Sequence, residues 1–313
     1  MKTLFRRFVA AATFAAAAAP AAAQFGQNKI AYDTFDWQIY RSTHFQIYFY
    51  TREAAALPKV ASFAESAYDE LSRSLNYQIS HPIPLIYYAT HAEFEQTNTQ
   101  DEAIDEGVGA FALPQRDRMV LPIDVPDLLL QEVIQHELTH IFEFEILFQG
   151  NFLRAITSNI PQWFMEGLAS YYGHDETNRS RTYLRDAVLT DHVPAIARGQ
   201  DINPYFAYRF GHAVFDFIEH EWGKDAVRDF VYEWRTSGAG GVQRVIKRSL
   251  DLSPEDFDIA FRRYLRHKYL SVLETKGEPV DFGQAFHIKL NQEGFSWEVS
   301  GVPFASGDLM AAV

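Results

Sequence analysis

The chain of 313 residues contains no cysteine, and its 28 Lys and Arg are outnumbered by 41 Asp and Glu. Without a thiol the chain cannot use a cysteine nucleophile, a cysteine-ligated zinc site or disulfide bonds. The formal net charge of −13 argues against a nucleic-acid-binding protein, because neutralising phosphates requires a basic surface. The basic cluster at residues 262–268 is interleaved with aromatic and apolar positions, which is typical of the solvated face of an amphipathic helix.

After its first residues the sequence also lacks an apolar run long enough to cross a bilayer. Residues 1–23 have the pattern of a secretory signal peptide, in which Lys2, Arg6 and Arg7 precede an apolar stretch that ends in small residues at Ala23. That stretch of about a dozen residues is too short to span a hydrocarbon core of about 30 Å. We therefore expect a bacterial exported protein, periplasmic or extracellular, with no integral membrane segment after cleavage.

The order of the predicted elements indicates an α+β fold. Period-2 alternation and short apolar runs predict strands at 37–41, 45–49, 83–89, 108–113 and 118–121. Apolar positions at three- and four-residue spacing predict helices at about 53–75, 127–148, 161–173, 179–190, 204–222, 224–236, 241–249 and 254–270. We expect a β-rich sub-domain over 24–125, with an edge strand, followed by a helical sub-domain over 126–275.

The C-terminal segment, residues 276–313, carries Gly, Pro and alternating apolar residues and is predicted to be β-structure. The sequence ends at Val313 within an apolar stretch that resembles the middle of a strand, and an unpaired apolar edge is unfavourable. Either this strand packs back on the domain, or the natural chain continues past Val313.

The strongest chemical signal is a His-Glu-x-x-His pattern at residues 136–140, within a predicted helix. A spacing of four places the imidazoles of His136 and His140 on one helix face, one turn apart, where they can share a metal ion. Glu137 lies beside them and can accept a proton from a water molecule that the metal activates. The surrounding residues 133–142 carry no other charge, so this helix is expected to be buried and its polar groups need partners. The alternative is two histidines hydrogen-bonded within a core, with Glu137 in a salt bridge.

Glu166 is the candidate third ligand, since a catalytic zinc site takes three protein ligands and keeps one position open. It is the only acidic residue in the apolar helix predicted over 163–172, and a lone buried carboxylate is unfavourable unless it is paired or metal-bound. The alternatives are an exposed Glu166 at a helix edge, or a ligand from Glu143 or Glu145. Glu143, three residues past His140, is better suited to support that histidine than to act as a cross-helix ligand.

Residues 136–140 and 163–169 together resemble the gluzincin metallopeptidases, specifically the bacterial peptidase MA-like family. The resemblance covers residues 130–222 strongly and 35–270 loosely. It implies a thermolysin-like zincin fold, in which the motif helix lies beneath a small twisted sheet and a helical lobe supplies a glutamate. An inserted loop over 147–160 explains why the link between the two motifs is longer than in familiar gluzincins.

By position, the same resemblance implies one Zn²⁺ held by His136, His140 and Glu166, with Glu137 as general base. The segment that begins at Tyr208 is similar to the one that supplies the transition-state tyrosine in aminopeptidase-like gluzincins. Tyr208 is therefore the expected donor to the oxyanion of the tetrahedral intermediate. Tyr205 is the alternative donor. Either tyrosine could instead simply pack, and His212, one turn after Tyr208, could line the cleft but is more simply a core or surface histidine.

Gly109, Ala110 and Phe111 match the edge strand along which zincins bind the substrate backbone by β-augmentation. In zinc aminopeptidases this segment carries a glutamate that binds the free α-amine. The aligned residues here are Ala112 and Leu113, so that anchor is missing and an endopeptidase is favoured, although Glu102 or Glu106 could substitute for it.

The sequence thus predicts an exported zinc-dependent peptidase, most simply an endopeptidase, that acts on peptide or protein substrates. The alternative from another class is an exported scaffold with a zincin fold that binds a peptide or partner without turnover. A hydrolase of non-peptide substrates would use the same water chemistry. The C-terminal β segment is similar to the start of a β-propeller blade in TolB-like envelope proteins, which implies a β-propeller beyond this chain. Glu137 favours the peptidase, because a binding module has no need of it.

Overall fold

The computed structural model describes residues 33–99, 104, 107–113, 117–149, 151, 160–198, 202–237, 241–276, 301–303 and 310–312. The predicted signal peptide, Glu102, Glu106 and most of the predicted C-terminal β segment lie outside these residues. The chain divides into two compact units, Met1–Leu270 and Ser271–Val313. No helix in the described ranges combines the length and apolar character that crossing a bilayer requires.

The first unit contains a mixed sheet whose strands are β1 (Trp37–Arg41), β2 (Phe45–Tyr50), β3 (Ile83–Tyr88), β4 (Phe111–Leu113) and β5 (Arg118–Pro122). Their order is β1-β2-β3-β5-β4, so β1 and β4 are the edge strands of the described sheet. The three central strands are parallel, and both edge strands are antiparallel to their neighbours. Phe45 and Ile47 of β2 are buried while Gln46 and Tyr48 are half-buried, as the alternation predicted.

The helices are α1 (Leu57–Ser74), α2 (His91–Phe94), α3 (Asp127–Glu143), α4 (Gln162–Gly173), α5 (Asn178–Leu189), α6 (Pro204–Trp222), α7 (Lys224–Ser237), α8 (Gly241–Leu250) and α9 (Pro254–Lys276). Two short strands in the second unit, β6 (Gly301–Pro303) and β7 (Met310–Ala312), pair antiparallel. The strands of the sheet lie within residues 37–122, with α1 and α2 between them, and the other described helices follow. The α+β class predicted from the sequence is confirmed.

The helix predicted over 53–75 is interrupted near its start. Residues Thr51–Ala56 form a 3₁₀ turn, and the α-helix begins only at Leu57. Pro58 is the physical reason, because proline has no N–H to continue a helical hydrogen-bond ladder from earlier residues but is well accommodated in a first turn.

The helix predicted to end at 148 changes its winding earlier. It is α-helical to Glu143, π-helical over Phe144–Phe148, and ends at Gln149, whose φ is 52°. The sequence pattern could not distinguish the two windings, because the apolar residues Ile146–Phe148 are buried in the π turn just as a longer α-helix would require.

The strand predicted over 108–113 is shorter than expected, and only its second half pairs. β4 pairs with β5 from Phe111 onward, and Gly109 and Ala110 precede the strand. In the same register Gly109 would face Pro122, which has no N–H to donate to a neighbouring strand. The predicted strand is therefore wrong for Gly109 and Ala110, while Phe111 does lie on the edge strand. The substrate-binding role of these three residues stays a prediction.

The sheet and the helices of the first unit share one hydrophobic core. Leu85 of β3, Leu138 of α3 and Phe164 of α4 all belong to the same buried cluster. A smaller cluster that includes Tyr88 and Val120 is formed by other side chains of the strands. The core thus extends across the boundary predicted at 125/126, and α3 is buried against the sheet by its own apolar residues.

Candidate metal centre

His136, His140 and Glu166 are brought together by two helices, α3 and α4. Nε2 of His136 lies 3.7 Å from Oε2 of Glu166, and Nε2 of His140 lies 3.6 Å from the same oxygen. Candidate ligand atoms of all three residues lie within 4.8 Å of one another. A tetrahedral zinc ion with bonds of about 2.0–2.1 Å separates its ligand atoms by about 3.4 Å. The observed spacing is therefore close to that of three ligands around one ion.

One buried polar atom at this point has no hydrogen-bond partner among the described residues. Oε2 of Glu166 is buried and makes no hydrogen bond to any described residue. A buried carboxylate oxygen in that state is costly, and the separations from the two imidazoles are too long for hydrogen bonds. Two imidazole nitrogens and one carboxylate oxygen are a donor set that catalytic zinc sites use. The residues present thus fit Zn²⁺.

Both histidines are oriented by a second carboxylate. Nδ1 of His136 lies 2.9 Å from Oδ2 of Asp175, and Nδ1 of His140 lies 2.7 Å from Oε2 of Glu143. An ionised carboxylate only accepts hydrogen bonds, so each Nδ1 carries the proton and each Nε2 is directed to Glu166. The supporting contact of Glu143 to His140 is the one that the three-residue spacing predicted.

The carboxylates around the histidines set their proton affinity. Burial lowers the pKa of His136, but the neighbouring Asp175 and Glu166 outweigh burial and raise this pKa to about 9. Burial raises the pKa of Glu143 to about 7. Burial acts to raise the pKa of Glu166 as well, but the two imidazoles outweigh it and bring the pKa well below its usual range. At neutral pH the metal-free centre therefore holds protonated His136 against an ionised Glu166, and a metal ion must displace that proton.

Metal-free protein is expected to lose stability as the pH rises from about 6.5 to about 9. The folded-state pKa of His136 is raised from 6.5 to about 9. The resulting stability is complete below the unfolded-state pKa and is lost as the pH rises through the folded-state value. At about 1.4 kcal/mol per pKa unit, the loss is on the order of 3 kcal/mol. Urea unfolding of chelator-treated protein across this pH range measures it, and the dependence should be weaker in Asp175→Asn. Constant or rising stability would contradict the ion-pair assignment.

Asp175 is a residue of the candidate metal centre that sequence reasoning missed. It lies just after α4, where the helix has ended at His174 with a φ of 55°. Its Oδ1 accepts a hydrogen bond from the Ser170 hydroxyl, which in turn lies 3.0 Å from Nδ1 of His212. His212 is buried and supports this chain of hydrogen bonds, so it is a core histidine. A residue in a loop, paired with a partner 39 positions away, leaves no periodic signal in the sequence.

The variant Asp175→Asn is expected to bind zinc about 10- to 100-fold more weakly, the usual cost of losing a carboxylate that orients a ligating histidine. Isothermal titration calorimetry with Zn²⁺ measures the change. Glu176→Gln is the matched control, because Glu176 is adjacent but pairs with Arg181 at 3.3 Å. Equal affinities for Asp175→Asn and Glu176→Gln would show that Asp175 does not act on the metal site.

Glu137 is buried next to the edge strand, with 7% of its surface exposed. Burial raises the pKa of its carboxyl group, and the nearby His136 and His140 and a hydrogen bond from the backbone of Ala112 counteract burial only in part. A raised carboxyl pKa is what a general base requires, because the group can then hold a proton transiently near neutral pH. The contact with Ala112 also places this carboxylate against β4.

Tyr208 lies beside the candidate metal centre. Its ring is stacked on that of His136, with 5.9 Å between ring centroids. Burial and then the charge of Glu166 raise the pKa of the phenol well above its usual value, so the hydroxyl stays protonated and can donate. With 39% of its surface exposed, Tyr208 is also accessible to a substrate. The side chain of Tyr205, the alternative, lies outside what the structure describes.

Two glycines allow α4 and α6 to cross with their backbones in contact. A Cβ atom on Gly211 would lie 2.0 Å from the carbonyl oxygen of Trp163, and one on Gly167 would lie 2.4 Å from the backbone of Gly211. No side chain fits in that space. The crossing positions Glu166, the neighbour of Gly167, and Tyr208, one turn before Gly211.

The centre as a whole gathers four carboxylates, those of Glu137, Glu143, Glu166 and Asp175, around two imidazoles. So many acidic groups in a partly buried place favour a bound cation.

The chain matches no protein-family model and no curated protein.

Proposed function

We propose that the protein is a zinc-dependent endopeptidase of the gluzincin type, with a zincin-like fold. One observation carries the proposal: the Nε2 atoms of His136 and His140 lie 3.7 Å and 3.6 Å from the same buried Glu166 oxygen. Glu137, buried directly beside them, supplies the base that hydrolysis needs. A pure binding site would not require this carboxylate.

The chemistry divides among a few side chains. Zn²⁺ held by His136, His140 and Glu166 supplies Lewis-acid chemistry, which polarises a carbonyl group and lowers the pKa of water. Glu137 accepts a proton from the attacking water and returns it to the leaving amine. The protonated hydroxyl of Tyr208 donates a hydrogen bond to the oxyanion that develops on the scissile carbonyl oxygen.

The proposed substrate is an extended peptide bound along β4. This strand lies at an edge of the described sheet, and the backbone of its Ala112 contacts the Glu137 carboxylate. An edge strand offers its main chain to a peptide, and the side chains beside it select the sequence. Ala112 and Leu113 offer no carboxylate for a free α-amine, which supports internal cleavage over removal of N-terminal residues.

The zinc-loaded protein is expected to cleave internally quenched fluorogenic peptides that are acetylated at the N terminus and amidated at the C terminus. A chelator should abolish this activity, and Zn²⁺ should restore it, because the attacking water depends on the metal. Cleavage restricted to peptides with a free N terminus would overturn the endopeptidase assignment. A zinc-loaded protein that binds these peptides but never cleaves them would instead support the exported scaffold.

Export remains part of the proposal, with the protein acting in the periplasm or outside the cell. It depends on residues 1–23, whose charged, apolar and small-residue regions have the order of a secretory signal peptide. Sequencing the N terminus of the protein recovered from a bacterial periplasm would test it.

A further inference from the structure

A second group of metal-ligating side chains lies apart from the proposed catalytic residues. It consists of His81, Asp117 and Glu145, whose candidate ligand atoms lie within 4.8 Å of one another. His81 precedes β3, Asp117 directly precedes β5, and Glu145 lies in the π turn after α3. Three segments that are distant in the sequence thus converge on one point.

The distances within this group match those between ligands of one ion. Nε2 of His81 lies 3.5 Å from Oδ2 of Asp117 and 3.4 Å from Oε1 of Glu145. Ligand atoms around a tetrahedral ion with bonds of about 2.0–2.1 Å are about 3.4 Å apart. One imidazole nitrogen therefore faces two carboxylate oxygens at the separation that a shared cation would impose.

Ion pairing with His81 alone cannot compensate both carboxylates of the group. Nε2 carries at most one proton, so it can donate a hydrogen bond to only one of the two carboxylates. The side chains of Asp117 and Glu145 are 21% and 12% exposed, so water screens their mutual repulsion poorly. A divalent cation would offset both charges at once.

A neighbouring tyrosine orients one of the candidate ligands, Glu145. The hydroxyl of Tyr77 donates a hydrogen bond of 3.1 Å to Oε2 of Glu145. This contact leaves Oε1 directed to His81. Such support of a carboxylate by a neighbouring donor is a common feature of metal sites.

We propose that His81, Asp117 and Glu145 form a second metal site, which binds one divalent transition-metal ion of the Zn²⁺ type. An imidazole with two carboxylates suits such an ion better than Ca²⁺ or Mg²⁺, which prefer oxygen ligands alone. The bound ion ties the turn before β5 to the π turn that continues the His136 helix. It thereby fixes the start of β5 against that π turn, and it does so whether or not the protein is a peptidase.

Metal counting tests the proposal. The full chain and its variants are dialysed against buffered Zn²⁺, and bound zinc is determined by inductively coupled plasma mass spectrometry. We expect His81→Ala and Asp117→Asn each to bind one equivalent of zinc less than the wild type, because the second site is lost. His136→Ala should also bind one equivalent less, because the proposed catalytic site is lost. His174→Ala is the matched control, because Nε2 of His174 also lies 3.4 Å from a carboxylate, but from that of Glu70 alone. It should lose none.

The variant Asp117→Asn is included because a loss of zinc in it cannot be explained by misfolding. Asp117 has a φ of 44°, a conformation that asparagine adopts readily, so the backbone should be preserved. In the His136→Ala background, Zn²⁺ should raise the urea midpoint of unfolding, and adding Asp117→Asn should abolish that rise. Unchanged zinc content in both His81→Ala and Asp117→Asn overturns the second site. Loss of zinc confined to His81→Ala and Asp117→Asn, with none in His136→Ala, would instead overturn the proposed catalytic site.

Discussion

The variant Glu137→Gln is expected to cleave peptides about 10²- to 10⁴-fold more slowly than the wild type, the usual contribution of a general acid–base group. Glutamine has nearly the same shape but cannot accept the proton of the attacking water. Since Glu137 is not one of the three proposed ligands, the zinc content of the variant should equal that of the wild type. Measuring kcat and KM on a blocked peptide, together with bound zinc, separates loss of chemistry from loss of metal.

The matched control is Glu132→Gln, because Glu132 lies on the same helix but outside the proposed ligand and base set. Its kcat should stay close to the wild-type value. Unchanged turnover in Glu137→Gln would remove this residue from the mechanism. A loss of zinc in that variant would assign it to the metal site instead.

The second large effect is expected from Gly211→Ala, which should destabilise the folded protein by about 3 kcal/mol or more, the upper end of the usual cost of overpacking. The added methyl group would lie 2.0 Å from the carbonyl oxygen of Trp163 and 2.6 Å from the Cα atom of Gly167. Both contacts are with the backbone, so the conflict can be relieved only by separating the two helices. That movement displaces Glu166, and zinc affinity should fall with stability.

Urea unfolding and zinc titration measure both effects. Gly107→Ala is the control, because a Cβ atom there meets nothing within 4 Å and the position is exposed. It should change neither quantity. A Gly211→Ala protein with wild-type stability and wild-type zinc affinity would contradict the role of the helix crossing.

The candidate ligands and the residue that supports one of them could be identified from single helices, whereas Tyr208 was reached only through the family resemblance. His136 and His140 share a helix face because they are four residues apart, and Glu143 reaches His140 because it is three residues further on. Glu166 could be selected because it is the one acidic residue in an otherwise apolar helix. Those arguments need only the geometry of a single helix.

The features that escaped prediction depend on contacts between distant segments. Asp175 reaches His136 from a loop, and the close approach of Gly167 and Gly211 joins two helices whose apolar patterns do not specify where they cross. The start of β4 depends on Pro122 in the neighbouring strand. Neither hydrophobic period nor residue propensity encodes such pairings.

The most direct test of the central claim is a crystal of the zinc-loaded protein measured at the zinc absorption edge. We predict an anomalous peak about 2.0–2.2 Å from Nε2 of His136, from Nε2 of His140 and from a carboxylate oxygen of Glu166. A carboxylate of Glu166 that points away from the ion, or imidazoles too far apart to share it, would contradict the assignment.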